Sequence, residues 1–144
     1  MVLQNKKRGV HTMVTRRQAR KSIARLQAGL VFRGEVSGVR QTYYVLEAEG
    51  AFFIMSFALS ESKAGSGYFN VVDAAAVDYV RDRFAGHRDV TAKDVAARAR
   101  RTKHAPTSLV ALNILYVLVA LDEAEIVHEG EHRQLTFSMA GKRR

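Results

Sequence analysis

The chain has 144 residues, 47% of them hydrophobic and 26% charged, which excludes a disordered protein and allows one ordinary domain or two very small ones. It contains no cysteine, so a disulfide scaffold, a thiolate metal site and a cysteine nucleophile are excluded, and a cytoplasmic location is expected. The formal net charge is +9, and the first forty residues account for all of it, with ten lysines and arginines against one acid, Glu35.

This charge predicts a basic N-terminal arm over residues 1–28. Residues 15–27 have a helical composition, with Ala19, Ile23 and Leu26 on one face. Such an arm suits a polyanion, most often nucleic acid. A solubilising extension would share its composition, and so would a segment lying on an anionic membrane, although the stripe lacks the Trp or Phe expected there. The residues expected to contact nucleic acid are Arg16, Arg17, Arg20, Lys21 and Arg25.

Residues 29–72 are predicted to form a small antiparallel β-sheet. The stretches LVFRGEV, QTYYVLEAEG, AFFIMSFALS and GYFNVVD are rich in aromatic and β-branched residues, and turn signals such as Glu49-Gly50 separate them. In the third stretch the face that begins with Phe53 is apolar throughout, whereas the other becomes polar at Ser56. A sheet packed against a helix explains this pattern.

Two further chemistries could use the sheet. Aromatic residues beside a cation, such as Tyr43 and Tyr44 near Arg40, can stack on unpaired bases, although an aromatic in a strand more often belongs to the core. A magnesium-dependent nuclease would need carboxylates and a lysine close together, and the chain offers Glu49, Glu61 and Lys63. The Glu-x-Lys triplet is short and common, so we expect no enzyme, no metal site and no cofactor.

A helix is predicted after Asp73, which can cap it, with Val77, Val80 and Phe84 facing inward and Gly86 ending it. A second helix begins in VTAKDVAARARR, where Thr91 and Asp94 have the spacing of a capping box. Val95 and Ala99 face inward in this helix. The cations that remain accessible to solvent or a ligand are Lys93, Arg98, Arg100 and Arg101.

Residues 109–121, LVALNILYVLVAL, contain no charge and one strongly polar side chain, Asn113. The stretch is shorter than the ~20 residues of a membrane span, so it predicts a buried core helix. The following AEIVHEGEHRQLTFSM predicts two strands joined at residues 129–131, before a basic tail.

The element order over residues 73–144, and the stretches VTAKDVAARAR and TSLVALNILYVLVALDEAEIV, resemble the winged helix-turn-helix superfamily. The resemblance implies an α+β protein with a three-helix unit, a two-stranded wing and a non-catalytic function in binding nucleic acid. Duplex DNA is favoured over RNA, and regulation of transcription is the narrower expectation. Base edges would be read by Thr107, Ser108, Ala111 and Asn113. Phosphates would be contacted by Lys93, Arg98, Arg100, Arg101 and Lys103, with Arg133 in the wing.

One feature departs from that family. Residues 109–121 are apolar nearly all round, whereas a recognition helix keeps a polar face for DNA. One stripe contains Leu109, Leu112, Tyr116 and Val119, and a second contains Val110, Ile114, Val117 and Leu121. We therefore predict a homodimer through residues 109–121, with a protein-interaction module as the alternative function. The alternative structure is a monomer whose β-rich half covers the second stripe.

Overall fold

The computed structural model describes residues 29–38, 41–57, 67–127 and 135–142. The predicted basic arm lies outside these residues, with Arg16, Arg17, Arg20, Lys21 and Arg25. So do Arg40, Glu61, Lys63, Arg133 and the predicted turn at 129–131.

Four of the strands are β1 (Val31–Ser37), β2 (Thr42–Ala48), β3 (Ala51–Phe57) and β4 (Gly67–Asp73). They form an antiparallel sheet in chain order, so the β-structure predicted over residues 29–72 is confirmed. The turn from β2 to β3 uses Gly50 at φ 72°, a conformation that glycine adopts without strain. A bulge between Phe32 and Gly34 shifts the register of β1 against β2.

Three helices and a two-stranded sheet follow: α1 (Ala74–Arg83), α2 (Ala92–Arg98), α3 (Ser108–Ala120), β5 (Ala124–Val127) and β6 (Thr136–Met139). The capping box that begins α2 is confirmed, with Thr91 and Asp94 exchanging both hydrogen bonds. Asp73 occupies the N-cap position of α1, but its side chain makes no capping hydrogen bond. The chain is therefore a mixed α+β protein, as predicted.

Helix α3 lies at the centre of the main core. It contacts all four strands of the larger sheet, as well as α1, α2 and β5. Five of its side chains have no exposed surface: Ala111, Ile114, Leu115, Val117 and Leu118. The prediction that residues 109–121 form a buried core helix is confirmed, and no helix of the described residues is long and apolar enough to cross a bilayer.

One chain therefore covers both apolar stripes of α3. Tyr116 and Val117, from different stripes, are 3% and 0% exposed, and the remaining stripe residues are buried or half-buried. The sheet packs on one side of the helix, and α1, α2 and β5 pack on others. This arrangement favours the internal-core alternative. The predicted dimer through residues 109–121 assumed that one stripe would be left uncovered. Because the chain itself covers both stripes, the burial of α3 gives no support to this dimer.

The small sheet is joined to the loop between α1 and α2. Val90 and Phe137 exchange two backbone hydrogen bonds of 2.9 and 2.8 Å, and the Met139 N–H donates to the His87 carbonyl at 2.8 Å. Phe137 is fully buried, with its ring 6.3 Å from that of Tyr116. Strand β6 therefore lies between β5 and the loop, where it closes one end of the main core.

Candidate nucleic-acid interface

A group of cations lies on α2 and on the loop that follows it; we call it the α2 basic surface. All five of its side chains are exposed: Lys93, Arg98, Arg100, Arg101 and Lys103. They carry +5, and the acid between them, Asp94, lowers the local charge by one. Asp94 is already engaged by the N–H of Thr91 at 2.9 Å. The phosphate-contacting residues predicted in this part of the chain are therefore all exposed, on α2 and on the loop after it.

The loop is held by its small and polar residues, which leaves its long cations free to face water. Ala99 and Ala105 are fully buried on either side of it. Between them the Thr102 hydroxyl donates to the Ala99 carbonyl at 2.8 Å and accepts from the His104 N–H at 3.2 Å. Because these bonds satisfy polar groups of the loop, its backbone can remain in one position beneath the charges.

An aromatic contact joins this loop to α1. The His104 ring stacks on Tyr79 with centroids 4.8 Å apart, and the Arg83 guanidinium lies 5.6 Å from the centre of the Tyr79 ring. The Tyr79 hydroxyl reaches the Arg98 carbonyl at 3.5 Å. Our sequence reading missed Tyr79 and Arg83. Both fall outside the inward-facing stripe of α1, and no short motif links either of them to His104.

No carboxylate within the described residues pairs with a side chain of the α2 basic surface. The ion pairs found there join Arg33 to Glu47 at 3.3 Å, and Arg81 to both Asp78 and Glu123. Arg81 is thereby neutralised, whereas the five cations around α2 meet no carboxylate of the described residues. An exposed group of unneutralised cations attracts a polyanion without first breaking internal ion pairs.

The N-terminus of α3 follows directly after the α2 basic surface. Thr107 caps it, with the side-chain oxygen accepting the Val110 N–H at 3.1 Å. Thr107 and Ser108 are both exposed. The first turn of a helix favours an anion because its N–H groups point outward. Two of the four predicted base-reading residues are thus accessible, next to the cations. The prediction was wrong for Ala111, which is fully buried in the core.

Asn113 corrects the prediction of a base contact, because it is only 2% exposed and belongs to the core. Its Nδ2 donates to the Tyr68 hydroxyl and to the Leu109 carbonyl, each at 2.9 Å, and its Oδ1 lies 3.1 Å from the same hydroxyl. Burial raises the pKa of Tyr68 to about 12, although the hydrogen bond with Asn113 acts in the opposite direction. The Asn113 amide therefore pairs with β4 and is inaccessible to a base edge.

The residues suggested for other chemistries are not brought together in the described part of the chain. Glu49 is exposed at the turn after β2, and no group of three or more metal-ligating side chains occurs among the residues that the structure covers. Tyr43 and Tyr44, which were suggested for stacking on bases, are half-buried, and the aromatic residues Phe52 and Tyr68 of the same sheet are buried against the helices.

No protein-family model, curated protein or solved structure matches this chain. Its function is therefore inferred from the chemistry of its own residues.

Proposed function

We propose that this protein binds nucleic acid, duplex DNA in preference to RNA, and catalyses no reaction on it. The observation that carries the proposal is the α2 basic surface: five exposed cations that pair with no carboxylate of the described residues, on α2 and on a loop held by buried alanines, Thr102 and His104. A polyphosphate chain meeting such a surface releases its counterions, and this release favours binding at low salt.

The element order supports a helix-turn-helix-like docking, with α2, the connecting loop and the start of α3 nearest the phosphates. The wing would be the β5–β6 hairpin. The larger sheet, however, occupies the side of α3 that a recognition helix would offer to the major groove. Binding through this surface would therefore be electrostatic and tolerant of sequence, since contacts to phosphate position a protein without reading bases.

Regulation of transcription is the narrower form of this proposal, and it requires a source of base recognition. Within the described residues only Thr107 and Ser108 remain from the set suggested for base edges. They lie at the N-terminus of α3. Because only the first turn of a helix that enters a groove by its N-terminus meets the bases, these two side chains could reach one or two base pairs at most. The basic arm and Arg133 are the other candidates.

The test compares two double variants that lose the same charge. Arg100→Ala with Lys103→Ala removes two cations of the α2 basic surface, whereas Arg33→Ala with Lys142→Ala removes two cations elsewhere. Binding to a labelled duplex is measured by fluorescence anisotropy over a salt series. We expect the first variant to lower the slope of log K against log salt by about two units, since each phosphate contact contributes about 0.9.

The control variant should keep most of the parent slope, and a single-stranded oligonucleotide of the same length measures the preference for duplex. Equal slopes for both double variants would contradict a site around α2 and would indicate attraction by net charge alone. No measurable binding by the parent at low salt would remove the proposed function altogether.

A further inference from the structure

The larger sheet has a second apolar face, turned away from α3. The residue pairs of the strands assign to this outer face two rows of side chains running from β1 to β4: Phe32, Leu46, Phe53 and Val71, then Glu35, Tyr44, Met55 and Phe69. Phe53, Ala51 and Ala48 form a core cluster separate from the main one, with Leu46, Phe69 and Val71 packed around it. No residue of a described helix belongs to this cluster.

The centre of this outer face is buried and requires a cover, whereas Phe32 at the β1 edge is 57% exposed. Phe53 and Ala51 are 0% exposed, although each stands on the face opposite α3. An antiparallel sheet with one face in water alternates apolar and polar residues, whereas β3 reads AFFIM and is apolar on both faces. Side chains of neighbouring strands can shield the flanks of a central ring but leave its top open to solvent. A second layer therefore lies over Phe53.

We propose that residues 15–27 of the same chain are this cover, packing Ala19, Ile23 and Leu26 on the outer face as an amphipathic helix. The connection is short, since only three residues separate residue 27 from Val31, where β1 begins at the edge of the sheet. A helix of that length extends ~20 Å. The four strands, spaced ~4.8 Å apart, span ~14 Å, so one such helix crosses the whole face.

The charges favour residues 15–27, rather than the sheet of a second copy of the chain, as the cover of the outer face. The outer face carries acids near two of its corners, Glu35 on β1 and Asp73 on β4, which pair in register with Tyr44 and Ala51. Two such faces stacked together would bring like charges into one interface. The segment offers the opposite sign, with five cations and no acid. Attraction at the margins therefore adds to apolar burial at the centre.

Docking would give the basic arm a fixed direction. On a helical repeat, Arg17 and Lys21 fall opposite the Ala19–Ile23–Leu26 stripe and would point away from the sheet. The arm would then be a second basic surface on the other side of the sheet from α3. This inference does not depend on binding to nucleic acid, and it can hold or fail without it.

The test uses one introduced thiol in the full chain, which has no cysteine of its own. Met55→Cys places the thiol on the outer face beside the buried Phe53. Its rate of reaction with a water-soluble disulfide reagent is measured in this background, with Ile23→Asp and with the matched Ala24→Asp. We expect Ile23→Asp to speed the reaction about tenfold or more, by opening the local cover, and Ala24→Asp to leave it nearly unchanged.

Two additions keep the result decisive. Ile23→Val should restore the slow rate, and far-UV circular dichroism should show the same sheet content in every variant. The rate should also stay constant as the protein is diluted. Equal rates for Ile23→Asp and Ala24→Asp would overturn the proposal, and protection that disappears on dilution would assign the cover to a second copy. Phe69→Cys repeats the comparison if Met55→Cys proves unstable.

Discussion

Helices α2 and α3 begin with the same kind of cap but differ in how far their side chains are buried. Thr91 and Thr107 each accept the backbone N–H three residues further on, both at 3.1 Å. Helix α2 then keeps Lys93 and Arg98 in water, whereas every side chain of α3 from residue 113 to residue 118 is buried. The cap fixes where a helix starts, and the side chains after it decide whether the helix becomes surface or core.

The comparison separates stability from binding. In α3, a substitution changes the packing of the sheet and of the other helices together, because one core cluster contains them all. In α2 and its loop, a substitution of an exposed cation changes charge while leaving Val95 and Ala99 in place. We therefore expect the largest effects on folding from α3 and the largest effects on binding from α2.

Leu115→Ala should give the largest loss of stability. Leu115 is fully buried in α3, so its truncation removes apolar contacts and leaves a cavity, at a cost of about 2–5 kcal/mol in the free energy of unfolding. The matched change in α2 is Arg98→Ala, which should stay within about 0.5 kcal/mol. Urea unfolding followed by circular dichroism measures both. Similar losses in the two helices would break the comparison.

The polar centre of α3 predicts a dependence on pH. Tyr68, hydrogen-bonded to Asn113, has a pKa raised by burial to about 12, against about 10 in the unfolded chain. The folded protein thus holds this proton more tightly. Its contribution is complete below pH 10 and is lost as the pH rises from 10 to 12, by an amount on the order of 2 kcal/mol.

Tyr68→Phe checks this contribution. Urea unfolding at several values of pH between 9 and 12 should show a shallower decline for the variant than for the parent. Burial also raises the pKa of Tyr116, so part of the decline should persist. An unchanged decline in Tyr68→Phe would show that the Tyr68–Asn113 contact does not control it.

A smaller effect than that of Leu115 or Tyr68 is expected from the cap of α2. Thr91→Ala removes the oxygen that accepts the Asp94 N–H, and we expect a loss of about 1 kcal/mol in the free energy of unfolding. Thr91→Ser keeps the oxygen and should remain close to the parent. Thr107→Ala, at the start of α3, tests whether removing a cap lowers the free energy of unfolding by the same amount when the helix that follows it is buried. A far larger loss there would show that the cap and the core are coupled.

Much of the fold follows from patterns that are local in the chain. The strand β3, the Thr91–Asp94 spacing and the inward positions of Val77 and Val80 depend on neighbours within a few residues, and each was predicted correctly. The exposed cations of the α2 basic surface were found for the same reason. They fall outside an apolar stripe that the sequence displays directly.

Local sequence patterns did not predict the contacts between distant parts of the chain. Asn113 was assigned to a base edge because nothing nearby indicates Tyr68, which lies 45 residues away in sequence and supplies its hydrogen bond. The apolar surface nearly all round α3 suggested a dimer, although the larger sheet, α1, α2 and β5 of the same chain surround this helix. Tertiary packing decided both cases, and a single sequence does not reveal which apolar faces meet.

Strand β6 sets an order of events during synthesis. Phe137 closes the core beside Tyr116 and pairs with Val90, and the ribosome adds it after every other described residue in that core except Met139. Phe137 comes seventeen positions after Ala120, the end of α3. At roughly 5–20 residues per second, the completed α3 waits about one to three seconds for this side chain. Until Phe137 is added, this end of the core lacks the side chain that closes it.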